Sequence, residues 1–326
     1  MQFLLNLLIF CIVLFIYLHI YFHLKTSNDL EIYEIDNPSK EKLEEICDLR
    51  QPVKFKYENN ELLDSCKKQN ILEKYGAFDV KIRDVKNKVS DNEEIYVPLS
   101  FSSSLSVLER DNENKYIIEN NKDFLEETGL LKSYKYNDGF IRPYMVSTCD
   151  YDYCMGREKT TTPLRHELGY RNYILVNEGS ITIKLAPPKS SKYLYLVNDY
   201  EIFEFRSLIN PWNVQDEYKQ NYNKIKFLEI TLNAGDILFI PAYWWYSIQF
   251  GKNASYSKFN YRTYMNNIAI LPKILMKLLQ SQNIKRKTET EVKINKIENI
   301  KDTNIVNTTN TQEIDNVTNN SIQEGQ

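Results

Sequence analysis

The sequence predicts a mainly β body with flanking helices, standing behind one N-terminal transmembrane helix. Two observations predict it. Phe3 to Phe22 reads FLLNLLIFCIVLFIYLHIYF, in which only Asn6 and His19 are strongly polar. From Ile141 onward, short apolar runs alternate with turn residues at the spacing of a β-sandwich or barrel. A third observation bounds the chemistry. The 326 residues carry three histidines, His19, His23 and His166, and the first two belong to the apolar N-terminus. The body therefore has one imidazole, which excludes any intramolecular site needing two. Hydrophobic residues make up 42 %, with 24 Tyr and 15 Phe, enough for a sizeable core. Lys plus Arg (41) nearly balance Asp plus Glu (44), so no nucleic-acid partner is expected.

The first element, residues 1–24, is expected to be a membrane anchor. As a helix, residues 3–22 reach roughly 30 Å, the hydrocarbon thickness of a bilayer. No basic stretch precedes them and no small-x-small cleavage site follows, which argues against a cleaved signal peptide. The anchor is single-pass, and its sidedness stays open. Lys25 behind the span favours a cytoplasmic body, whereas Asn-x-Ser/Thr sequons at Asn253, Asn307, Asn316 and Asn319 favour the opposite side. The cysteines form no dense framework that would decide the compartment.

Residues 25–140 read as an N-terminal α/β part. A strand at Ile32–Ile35 leads to a helix over Lys40–Ile46, started by Pro38-Ser39. Gln51–Lys56 alternates as a strand, Glu61–Tyr75 reads as a helix stopped by Gly76, and Phe78–Ile82 alternates again. Residues 100–140 read as mostly helical, with Asp123–Thr128 ending at Gly129. Residues 141–283 form the β core. Its strands are expected at Tyr144–Thr148, Tyr173–Val176, Ile181–Leu185, Leu194–Val197, Phe227–Leu232, Ile237–Ile240, Trp244–Phe250 and Ser255–Tyr261, with a polar helix at Val214–Asn223. Leu271, Ile274, Leu275, Leu278 and Leu279 recur at helical spacing and predict a C-terminal amphipathic helix. Residues 284–326 are an Asn/Thr-rich tract without periodicity, expected to be disordered.

The sharpest local pattern is Asn233-Ala234-Gly235-Asp236-Ile237-Leu238-Phe239-Ile240-Pro241-Ala242-Tyr243-Trp244-Trp245-Tyr246. Physically it is a glycine turn, a buried strand, a proline-marked bend and an aromatic strand. It resembles the "GD-x-L-F-I-P-x-x-W-W-H" segment of the JmjC-type, cupin-like oxygenases, a family that includes the asparaginyl hydroxylase acting on hypoxia-inducible factor. Upstream, Thr162-Pro163-Leu164-Arg165-His166-Glu167 resembles that family's "T-P-L-H-x-D". A strand, Gly179 and the pair Pro187-Pro188 follow it, as in the family. Gln51-Pro52-Val53 is similar to the family's opening strand. The resemblance covers roughly residues 30–280 and implies a double-stranded β-helix of the cupin or jelly-roll kind.

It also implies a ferrous ion held by two histidines and an acid, with open positions for 2-oxoglutarate and dioxygen. Carried over residue by residue, that site is lost. The first histidine position is Arg165, the acid is Glu167 and the distal histidine is Tyr246. The lysine that grips the co-substrate in many members falls at Ile181. Arginine stays protonated and cannot ligate a cation. No iron or 2-oxoglutarate is therefore expected, and Arg165 beside Glu167, with the Tyr246 hydroxyl, is expected to form a salt-bridged plug. His166 lies on the opposite strand face from its neighbours unless a bulge intervenes. With Ile181, Trp244 and Trp245, it is a candidate lining residue of the former pocket.

Cys149, Cys154, His166 and Glu167 include zinc-ligand types, but the Cys-x4-Cys spacing is loose and ordinary thiols are the plainer reading. Lys285-Arg286-Lys287 reads as a solvated charge run, with an anionic-lipid patch as its rival. The function expected is that of a membrane-anchored, catalytically inactive pseudo-oxygenase engaged in binding or scaffolding, with a homodimer through helix 271–279 as one mode of assembly. The alternatives are a hydroxylase with an atypical centre built on Glu167 and His166, and a structural membrane or virion component.

Overall fold

The computed structural model describes residues 2–86 and 96–283. Helix α1 covers Gln2–Leu24. It is followed by β1 (Tyr33–Glu34), α2 (Lys40–Cys47), β2 (Val53–Lys56), α3 (Asn60–Ser65), α4 (Lys68–Tyr75) and β3 (Asp79–Asp84). From residue 96 come β4 (Tyr96–Ser100), α5 (Phe101–Arg110), β5 (Tyr116–Ile118), α6 (Lys122–Glu127) and α7 (Leu130–Asn137). The next strands are β6 (Val146–Gly156), β7 (Arg165–His166), β8 (Arg171–Glu178), β9 (Ser180–Ala186), β10 (Leu196–Asp199) and β11 (Glu204–Ser207). Helix α8 (Lys219–Tyr222) precedes β12 (Leu228–Asn233), β13 (Asp236–Ile240), β14 (Trp245–Phe250) and β15 (Ser255–Thr263). Helices α9 (Tyr264–Ala269) and α10 (Leu271–Asn283) close the described chain.

Local chemistry explains several boundaries. The Ser39 hydroxyl accepts from the Lys42 amide and caps α2, and Thr263 does the same for α9 through Asn266. Gly235, at φ +82°, makes the turn between β12 and β13 in a conformation that a side chain disfavours. The helix expected over Glu61–Tyr75 is instead two helices, because Lys67 is extended and Cys66 turns into the core. Of Val214–Asn223, only Lys219–Tyr222 is α-helical, after a 3-10 turn at Asp216–Tyr218. Strands β5 and β7, of three and two residues, are too short to be seen by alternation, and β4 is interrupted by Pro98. The expected disordered tail 284–326 lies outside the described residues, and so do Lys285-Arg286-Lys287 and the sequons at Asn307, Asn316 and Asn319.

The strands form two sheets. One has the order β1-β2-β13-β8-β15-β6-β5-β3-β4 and the other the order β10-β11-β7-β14-β9-β12. Strand period 2 sorts the side chains of the larger sheet onto two faces. Tyr151, Tyr153, Tyr173, Leu175, Ile237, Phe239, Phe259 and Tyr261 point to the face covered by α2 to α7, where they join Leu43, Leu62, Ile71, Phe101 and Phe124. Cys154, Ile174, Val176, Leu238, Ile240 and Tyr256 point the other way. There they meet Ile181, Ile183, Leu185, Leu232, Ile248 and Phe250 of the smaller sheet in a second, fully apolar cluster. The space between the sheets is thus dry at one end. At the other end the same strands present Asp150, Asp152, Lys258, Asn260 and Arg262 to a cavity.

Helix α1 is long and apolar enough to cross a membrane and is exposed along most of its length. Its last turn packs on the body. His23 is buried with its ring 5.0 Å from that of Tyr170, and the Arg50 guanidinium lies 4.9 Å from the Phe22 ring. Within α10, Ile274 packs on the cluster of Leu168, Phe205 and Ile270, while Leu271, Leu275 and Leu279 remain about half exposed.

Candidate functional site

The cavity at the polar end holds about 360 Å³. Its position follows from sheet topology. Strand β7 is short and lies between β11 and β14, with Arg165 opposite Arg206 on one side and Tyr246 on the other. Glu167 follows immediately. The three positions aligned with the metal triad therefore do converge. The Tyr246 hydroxyl donates to Glu167 Oε1 at 2.9 Å, and the Arg165 guanidinium stands 5.8 Å from the Tyr246 ring.

Their pairing differs from the expected plug. Arg165 does not bridge to Glu167. It donates through Nη2 to Glu119 Oε2 at 2.8 Å and through Nη1 to Glu204 Oε1 at 3.3 Å. Arg83 binds the same two carboxylates, at 2.8 Å to Glu119 and at 2.9 and 3.1 Å to Glu204. Two arginines and two glutamates thus close a ring, and all four are at most 9 % exposed. Tyr96 adds a hydroxyl at 3.3 Å from Glu119. Glu167 has its own partners, the Lys258 ammonium and the Asn260 amide at 3.3 Å. The reason is strand geometry. β15 runs past Glu167 and aims its alternate residues Lys258 and Asn260 at it, while Glu119, just after β5, and Glu204, at the start of β11, approach Arg165.

Electrostatics agree with this division. Burial by itself would raise the carboxyls of Glu119 and Glu204. The two guanidiniums overcome it, holding Glu119 below the usual carboxylate range and Glu204 down to about 2. Glu167 is likewise held down against burial, first by Lys258 and then by Arg165. Burial pushes the Tyr246 phenol up to about 12, with the Glu167 carboxylate adding to the shift. At neutral pH the cavity floor carries fixed charges of both signs, and burial raises the carboxyl of Asp152 beside them.

The other expected lining residues fare differently. His166 reaches the cavity wall, but its ring stacks on Phe205 at 5.4 Å and meets the edge of Trp245 at 4.6 Å. Desolvation lowers its pKa to about 4, so it is neutral. Ile181 belongs to the dry cluster and does not line the cavity. Trp244 is core, donating its indole N–H to the Arg50 carbonyl at 3.2 Å. Trp245, adjacent to Tyr246 on β14, must point the opposite way, and it packs among Leu164, Ala186 and Leu194 with its N–H on Ser191. The zinc constellation also dissolves. Cys149 and Cys154 are five residues apart on β6 and so face opposite sides of the sheet.

Six of these site residues were not foreseen: Arg83, Tyr96, Glu119, Glu204, Lys258 and Asn260. Lys258 and Asn260 alone carried a local signal, since the alternation Tyr256, Lys258, Asn260, Arg262 sets a polar row on one face of an otherwise apolar strand. A ferrous ion held as the resemblance implies does not fit this donor set. It would find one carboxylate, already engaged by an ammonium, a phenol and an amide, beside a guanidinium that cannot ligate. Among the described residues, no three of His, Cys, Asp or Glu gather to hold a metal ion.

A model of the cupin-like domain matches residues 40–267. Among curated proteins, the JmjC domain-containing protein D of Dictyostelium discoideum is 30% identical over 95 residues, 29% of this chain and 21% of that protein. The chain thus spans about a fifth of the length of that relative.

Proposed function

The chain belongs to the cupin-like domain family, and from that premise we propose that it is a membrane-anchored binding module whose oxygenase centre has been replaced by ion pairs. The observation that carries this reading is the ring formed by Arg83, Arg165, Glu119 and Glu204 where a metal would need neutral imidazole. A buried guanidinium in that place repels a cation and is itself held by two carboxylates. The charges are not easily withdrawn, because removing one member leaves its partners buried and uncompensated.

The remaining cavity suits a small polar ligand or a peptide side chain. Its walls combine carboxylates, ammonium and guanidinium groups with the rings of Phe203 and Phe205. Lys258 and Asn260 offer donors to a ligand acceptor in competition with Glu167, whereas Asp150 and Asp152 offer acceptors. Helix α1, spanning a bilayer through residues 3–22, would hold this cavity close to a membrane surface.

The test is anaerobic titration of the full chain, in nanodiscs, with Fe²⁺, followed by assay of succinate release from 2-oxoglutarate. The expected result is no stoichiometric iron uptake and no succinate above a boiled control. Uptake of one iron per chain that Glu167→Ala abolishes would overturn the proposal and favour a hydroxylase with an atypical centre.

A further inference from the structure

Helix α10 touches the body chiefly through Ile274 and Lys273 and leaves most of its remaining side chains exposed. The Lys273 ammonium lies 5.7 Å from the Phe205 ring and bonds the Tyr200 hydroxyl at 3.2 Å. Lys277 lines the cavity, with its ammonium 5.2 Å from the Phe203 ring. Its leucines turn outward instead, Leu271 at 47 %, Leu275 at 50 % and Leu279 at 57 % exposed. A row of leucines is therefore left uncovered on the side of the helix away from Ile274, more apolar surface than a helix covering a soluble core leaves open.

The position of this helix says what covers that face. The final turn of α1 packs against α9, and α9 leads directly into α10. The turn at Leu168–Tyr170 joins the three. Tyr170 meets His23 of α1, the Leu168 carbonyl accepts from Asn266 of α9 at 3.3 Å, and Leu168 shares a cluster with Ile274 of α10. The exit of the apolar span and the outward leucines therefore occupy one connected end of the body. Tyr264 and Ile268 of α9, both exposed, lie between them in the chain. The sequence that follows α10 contains Lys285-Arg286-Lys287, a charge run suited to anionic headgroups.

We infer that α10 lies in the headgroup region of the bilayer crossed by α1, burying Leu271, Leu275 and Leu279 among the lipid chains as a second, interfacial attachment. This rests on the anchoring proposed above. The consequence is geometric: with two attachments the body cannot tilt about the end of α1, and the cavity that Lys277 lines is held beside the membrane surface.

The experiment uses the full chain in vesicles of phosphatidylcholine with a minor share of phosphatidylserine. One fluorophore is placed in turn on Cys11 in the span, on Leu275→Cys, or on Tyr136→Cys, a residue 80 % exposed on α7. The half-buried Cys149 is changed to Ser throughout, and Cys11 is changed to Ser in the other two variants. Lipids spin-labelled near the headgroup are expected to quench position 275 well beyond position 136, and deep labels to quench position 11. Quenching at 11 with position 275 indistinguishable from 136 would overturn the inference and leave the anchor standing. Cross-linking of position 275 between two copies, without lipid quenching, would assign the face to a dimer and likewise overturn it. Absence of quenching at 11 would remove the anchor, and this inference with it.

Discussion

Between the two sheets, the same strands build a dry end and a charged end. On β15 the inward residues change from Tyr256, stacked on Phe250 at 5.7 Å, to Lys258, Asn260 and Arg262 within a few positions. On β6 the facing residues change from Cys154 to Asp152 and Asp150, each paired in register with its β15 counterpart. Backbone geometry is common to both ends, so the difference lies in the side chains and in what approaches them. The dry end is closed by β9 and β14 with Ile183, Leu185 and Ile248. The charged end receives β3, β5, β7 and β11, which bring two arginines and two glutamates together. Folding tolerates such a ring because each charge finds a partner of opposite sign and each carboxylate has more than one donor.

The comparison breaks first at Arg165. Truncating one member of a buried ion-pair network typically costs about 3–5 kcal/mol. Arg165→Met is expected to fall in that range, which overlaps the roughly 2–5 kcal/mol expected of Ile183→Ala at the dry end but has a different cause. The two are told apart by a second change. Adding Glu119→Leu to Arg165→Met should recover much of the loss, whereas no polar substitution rescues the cavity left at Ile183. Denaturant unfolding of the Arg165/Glu119 cycle gives the coupling. A value within about 0.5 kcal/mol of zero would show that the ring is not a unit. The Arg165/Glu167 cycle should couple less, since Lys258 rather than Arg165 bonds Glu167.

How much of this was legible beforehand differs between the two ends. The dry strands announce themselves through apolar runs such as Ile237–Ile240, and all eight strands expected after Ile141 overlap observed ones, β6 only at its start. The convergence of Arg165, Glu167 and Tyr246 was implied by the family resemblance, whose two motifs supply the paired strands β7 and β14. Their partners were not. Glu119 follows the three-residue β5, Glu204 opens the four-residue β11, and Arg83 lies just past the strand read at Phe78–Ile82. Only the strand order, which carries β3 and β5 to one side of β6 and β11 beside β7, makes these residues neighbours. Lys258 was intermediate: its alternation places it on the face of Tyr256, but nothing local says that this face is inward. The amphipathic pattern of residues 271–279 was equally readable, yet not that its lysines would turn toward the body.

A pH titration sharpens the comparison at the boundary of the charged end. His166 is buried and neutral, with its pKa lowered by desolvation to about 4. The unfolded chain binds a proton near pH 6.5, so it holds more protons than the folded chain throughout the window between. Stability associated with His166 is therefore fully present above about pH 6.5 and is lost as pH falls toward 4, by roughly 3 kcal/mol. Glu204, held down to about 2, follows in the next window, its stabilisation present above about pH 4.3 and lost as pH falls toward 2. His166→Phe keeps a ring against Phe205 and Trp245 and should make the upper window shallower without changing the lower one, the remaining slope belonging to buried His23. Thermal unfolding of both proteins across pH 4 to 7 checks this, and identical slopes would place the His166 ring in contact with water.

The smallest effect is expected at the outer rim. Arg262 bridges Asp150 at 3.2 Å, with 22% and 41% of the two side chains exposed, so solvent screens the pair and its contribution is about 0.2–1 kcal/mol. Two terms oppose each other on removing it. Arg262→Ala loses the bridge, but it also relieves Lys277, whose pKa is lowered by burial and then by the Arg262 charge. The net change in unfolding free energy should stay below about 1 kcal/mol and shrink further near 1 M salt, where the Debye length falls to about 3 Å. At the same time the Lys277 ammonium should titrate closer to the ordinary lysine value, observable by NMR of the ε-methylene protons. A loss of several kcal/mol at Arg262, insensitive to salt, would mean that the rim belongs to the buried network, and that the charged end reaches further out along β15 than Lys258 and Asn260.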